Sequence, residues 1–183
     1  MKSARFLLFW LLTLAQLPAQ SPDNGALRRA LSAVHGRHEA AALDFAWPHL
    51  DSPESAIREA ARLAIEAQPF ETWKQRALDE KRTWASLEVL AALCHACPRT
   101  QAAELAPHLC EQITTLRIED MDEAQFIAAI HLTRLVLTRL GPPTEDERQQ
   151  MLDLWSRFAP AKGKRGDAEL RSLLAFLKTP GTR

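Results

Sequence analysis

The chain has 183 residues, 46% of them hydrophobic, with only six glycines and with Lys+Arg and Asp+Glu balanced at 23 each. That composition fits one domain with a packed core and excludes a long disordered chain. Three cysteines, an odd number, exclude a complete disulfide framework and leave at least one free thiol.

Residues 1–19 read as a secretory signal peptide. Lys2 and Arg5 form the basic start, Phe6 to Leu14 is an almost unbroken apolar run, and Ala19 after Leu17-Pro18 offers the cleavage point. The run is too short for an ordinary membrane span. The expectation is an exported protein, periplasmic or extracellular, that touches a membrane only if the leader stays uncleaved. Without Lys2 and Arg5 the remainder carries 21 bases against 23 acids, a net −2. That balance argues against nucleic acid as a partner.

The pattern of 20–183 is helical throughout. A first helix is expected over 23–34, with Leu27, Ala30, Leu31 and Val34 as its stripe and Gly36 as its stop. A second covers 39–50, carries Leu43, Trp47 and Leu50, and is tightened near its end by Pro48. The third, 52–67, has the clearest start: Ser52 as cap and Pro53 in the first turn. Ile57, Ala60, Ala61, Leu63, Ala64, Ile65 and Ala67 spread over roughly 200° of it, so neighbours are expected on two sides. That arc makes Leu63 a core position. Ser55, Arg58, Glu59, Arg62 and Glu66 fill the opposite side.

Gln68-Pro69 ends that helix, and another is expected over 70–80 with Phe70, Trp73, Ala77 and Leu78 as anchors. The helix from Thr83 is apolar nearly all round, which places it inside the stack; Pro98 ends it. One over 101–116 is expected to be interrupted by Pro107. The longest, 122–140, stops at Gly141-Pro142-Pro143. Thr144 and Glu147 then spell a capping box for a helix with Met151, Leu152, Leu154, Trp155 and Phe158. Residues 160–166 read as a basic link, and 168–177 as a last short helix. No stretch has the length, alternation and β-branching of a strand. The phrases Ala46-Trp47-Pro48-His49-Leu50 and Leu105-Ala106-Pro107-His108-Leu109 lie 59 residues apart, a weak hint of repetition. Antiparallel helix pairs joined by tight Pro turns predict an all-α fold, a short HEAT-like α-solenoid over 20–183.

Several stretches carry a resemblance: ALSAVHGR, AWPHLDSP, IREAARLAIEAQP and WKQRAL within 30–78, then RLVLTRLGPP at 134–143 and AELRSLLAFLK at 168–178. In this order they resemble the HEAT-like helical repeat region of large exported bacterial haem-binding, cytochrome c-containing proteins. Those proteins add a β-propeller-like dehydrogenase domain before the helices and often a cytochrome c domain after them. The resemblance implies a stand-alone relative, or a truncated piece of a larger haem-containing oxidoreductase. It also implies an exported oxidoreductase or cytochrome c as partner.

Chemistry-bearing residues are few. Cys94-His95-Ala96-Cys97-Pro98 has Pro where covalent haem attachment needs His. Two thiols three apart could form a redox dithiol, but they sit at a helix C-terminus, where the dipole opposes the thiolate. Cys94, His95, Cys97 and Cys110 are the candidates for a metal site if neighbouring helices align them. The alternative is that Cys94 is a small core residue and Cys97 closes the helix end, and this is the preferred reading. His131, on a mostly apolar helix, is expected in the core or at a helix contact. Trp47, Trp73, Trp84 and Trp155 are expected as anchors between helix layers. The acid pairs Asp79/Glu80, Glu119/Asp120 and Asp122/Glu123 fall at helix ends, where capping explains them. No nucleophile elbow, P-loop or dinucleotide fingerprint is present. The sequence therefore predicts a non-enzymatic scaffold without a cofactor that contacts a protein partner, with Arg58, Arg62 and Glu66 as the candidate contact residues. A redox or metal-binding module is the alternative.

Overall fold

A computed structural model describes residues 24–34, 40–161 and 163–179. The expected leader 1–19, the Gly36 stop and two histidines, His35 and His38, lie outside the described residues. Among those described, the fold is all-α: nine α-helices and no strand. In chain order they are α1 (Asn24–Ala33), α2 (Ala40–Ala46), α3 (Ser55–Glu66), α4 (Lys74–Leu78), α5 (Thr83–Ala96), α6 (Ala102–Thr115), α7 (Glu123–Arg139), α8 (Glu145–Ser156) and α9 (Lys164–Lys178). None is long and apolar enough to cross a membrane.

The odd-numbered helices touch in succession, α1 on α3, α3 on α5, α5 on α7 and α7 on α9. Of the even-numbered helices, α2, α4 and α6 each pack on the odd helix that follows, and α8 packs on α9 and on α6. One apolar cluster runs through the contacts from Leu31 to Leu177. The burial of α5 explains its all-round apolarity: it has α3 and α7 at its sides and α4 and the 47–51 turn behind.

Local chemistry sets the boundaries. Pro48 draws the end of the second helix into a tight 3-10 turn, Trp47–Asp51, as its position predicts. The capping box of Thr144 and Glu147 forms: the Glu147 N–H donates to Thr144 Oγ1 at 3.2 Å, and the Thr144 N–H donates to Glu147 Oε2 at 2.7 Å. Asp122 and Gln125 make a second such box at the start of α7, one the sequence reading missed. Gly141, at φ +120°, breaks the chain away from α7.

Five expectations need correction. The third helix starts at Ser55, not Ser52, because the Arg58 guanidinium takes the Ser52 and Pro53 carbonyls, at 2.8 and 3.0 Å. The 70–80 helix is split into a 3-10 turn, Phe70–Thr72, and α4 by Trp73 at φ −131°. Trp73 is fully buried, and its indole N–H reaches back to Gln68 O at 3.3 Å. Pro107 does not interrupt α6; it sits on an exposed face and the helix continues through it. The last helix begins at Lys164, taking in the last three residues of the expected basic link. There the Asp167 carboxylate accepts the Ala161 N–H at 3.1 Å, and Glu123 accepts the Gly166 N–H at 3.1 Å.

Leu63 is the fifth correction. It is 39% exposed, whereas Arg58 on the same helix is 6% exposed. The arc that α3 buries is centred on Ile57, Ala61, Ala64 and Ile65 and includes Arg58; Leu63 lies beyond its far edge. The two Pro-His phrases also differ in structure, one ending α2 as a 3-10 turn and the other running inside α6, so they do not mark equivalent points of a repeat.

Candidate interaction surface

Helices α3 and α5 are joined by charged side chains. The Arg58 guanidinium carbon lies 3.6 Å above the Trp84 ring centroid, and its Nε donates to Glu88 Oε1 at 3.3 Å. Arg62 Nε is 3.3 Å from Glu88 Oε2, and its Nη1 contacts Glu66 one turn on. The partners advance together along both helices, so α3 and α5 run parallel. Burial pushes the Glu88 carboxyl up, and Arg62 and Arg58 pull against that push.

These positions divide the three candidate contact residues. Arg58 faces inward, which corrects the expectation that it stands on the solvated side; its Nε meets Glu88, its Nη1 the Ser52 and Pro53 carbonyls, and its flat face Trp84. Arg62 and Glu66 remain half-buried at the surface, with exposed Glu59 and Leu63 beside them. Glu88 was not among the candidates, yet it links both arginines. Its signal was a single acid in an otherwise apolar helix, which demands a buried partner.

The same pattern recurs between α7 and α9. His131 Nε2 is 3.3 Å from Glu169 Oε2, and Arg134 Nη2 donates to Ser172 Oγ at 3.0 Å. His131 is exposed at this helix contact rather than in the core. Trp47, Trp73 and Trp155 are buried as anchors; Trp84 is half-buried beneath Arg58.

A further network closes the other side of the α4–α5 loop. Trp47 Nε1 donates to Glu80 Oε2 at 2.8 Å, and Arg82 Nη2 donates to the same oxygen at 2.7 Å. Burial alone would raise the Glu80 carboxyl. Hydrogen bonds from Arg82, Trp47 and the Lys81 backbone outweigh it and hold the carboxyl at about 2.

The cysteines do not converge on an exposed redox or metal centre. Cys94 and Cys110 are buried, and burial pushes them up to about 12 and about 11. Cys97 is half-buried and also raised by burial; its Sγ donates to Pro98 O at 3.4 Å. His95 is exposed. Cys94 and Cys97 border one cavity with Arg99 and Arg139, while Cys110 borders another near Pro107. No group of three His, Cys, Asp or Glu side chains among the described residues is placed to hold a metal ion.

No protein-family model, curated protein or solved structure matches this chain.

Proposed function

We propose that this chain is an exported, non-enzymatic helical-repeat scaffold, a short HEAT-like α-solenoid that holds a protein partner. The observation that carries the reading is the unbroken succession α1–α3–α5–α7–α9, with the even-numbered helices packed against it. Such a row presents an extended surface in which each helix adds a stripe of side chains. On α3 that stripe is Glu59, Arg62, Leu63 and Glu66; on α5 it is Trp84, Glu88, Ala91 and His95. Ion pairs between neighbouring helices hold the stripes in register, so the surface is set before a partner arrives. Leu63 is the exposed apolar residue of the α3 stripe, between Arg62 and Glu66.

The resemblance in the sequence points to an exported oxidoreductase or cytochrome c as the partner. Thiols raised by burial favour the scaffold over a redox module, because exchange requires thiolate.

The test is affinity capture of exported proteins from the native host on immobilised protein, parent against Leu63→Arg. The parent is expected to retain a discrete set that includes a haem protein, and the variant to lose it with an unchanged melting curve. Retention of the same set by both would refute the proposed surface.

A further inference from the structure

The loops joining α6 to α7 and α8 to α9 enclose a cavity of about 460 Å³. Its apolar side is made by Ile118, Met121, Phe126 and Phe158. The Phe126 ring stands edge-on to Phe158 at 6.2 Å, which fixes both faces. Two opposite charges, Glu119 and Arg157, also line it. Both are exposed, and among the described residues neither side chain has an ion-pair or hydrogen-bond partner, nor do the two pair with each other. The neighbouring acids are engaged in structure: Asp122 caps α7, and Glu123 accepts the Gly166 N–H.

We propose that this cavity binds a free amino acid with an aromatic or large apolar side chain, its ammonium on Glu119, its carboxylate on Arg157 and its side chain against Phe126 and Phe158. A guanidinium matches a carboxylate through paired N–H donors, and a carboxylate matches an ammonium. A ligand of one sign would leave one of the two wall charges without a counterpart. The volume lies within the range of small-molecule sites. The site shares no residue with the surface proposed above, so either reading stands or falls alone.

The experiment is calorimetric titration of the full chain with three probes: L-phenylalanine, phenethylamine and 3-phenylpropanoate. L-phenylalanine is expected to bind at least about tenfold more tightly than either analogue, since each lacks one charge-assisted contact. Glu119→Gln should erase its advantage over 3-phenylpropanoate and keep that over phenethylamine. Arg157→Gln should do the reverse. Both residues are exposed, and unchanged melting curves would show that the variants fold. Equal binding of all three probes, no saturable binding of L-phenylalanine, or preferences unmoved in both variants would overturn the proposal.

Discussion

Arg58 stacks on Trp84 and is bonded to Glu88, so a residue on the polar side of its helix by sequence becomes the clamp between α3 and α5. Its planar group meets an aromatic face, a carboxylate and two carbonyls at once, which an ammonium cannot do. Arg58→Ala should lower stability by about 2–3 kcal/mol, because it leaves the half-buried Glu88 carboxylate with Arg62 alone, removes the stack on Trp84 and unpairs two carbonyls. Arg58→Lys should recover only part of that. Urea unfolding followed by tryptophan fluorescence checks both; equal stability of all three proteins would contradict the clamp.

Leu63 and Ile65, two residues apart on α3, should respond in opposite ways to the same charge. Ile65 is fully buried, so Ile65→Asp places an unpaired carboxylate in the core and should prevent folding. Leu63→Asp should change stability by no more than about 0.5 kcal/mol, as at an ordinary surface position. Thermal melting of the two variants decides this.

Glu80 should govern part of the acid response. Its folded pKa, about 2, lies below the ordinary carboxyl value of 4.5, so the folded state favours the carboxylate. The stability this contributes is complete above about pH 4.5 and is lost as pH falls toward about 2. Glu80→Gln should therefore lose less stability than the parent between pH 5 and pH 3. Urea midpoints at the two pH values test it, and parallel losses would show that the Trp47–Glu80–Arg82 network does not form.

The thiols should react in order of exposure. At pH 7, a disulfide reagent should modify Cys97 slowly and leave Cys94 and Cys110 untouched until denaturant is added. Both are held protonated by burial, at about 12 and about 11. Rapid modification of two or more thiols in the folded protein would revive the redox reading.

The elements easiest to read from sequence were those set by local chemistry. Pro48, the Thr144/Glu147 box and Gly141 act within a few residues, and each acts where the spacing places it. The errors arose where a distant group competes for a local one. Arg58 takes the carbonyls that a helix from Ser52 would use, and the buried Trp73 breaks its segment in two. Asp167 and Glu123 together draw α9 back to Lys164. On α3, the sequence put Arg62 and Glu66 on the polar side, where both stand half-buried. It could not show that Arg58 turns inward toward a carboxylate 30 residues away, nor that Leu63 lies past the edge of the buried arc. The cavity beside Phe158 joins two loops far apart in the chain, so no single stretch announces it.

The central claim is that the odd-helix surface meets a protein partner, and site-specific photo-cross-linking in the native host tests it most directly. A cross-linking residue at Leu63 is compared with one at Glu111, exposed on α6. The account predicts a discrete cross-linked species from position 63 and none from position 111. No species from position 63, or the same species from both, would contradict it.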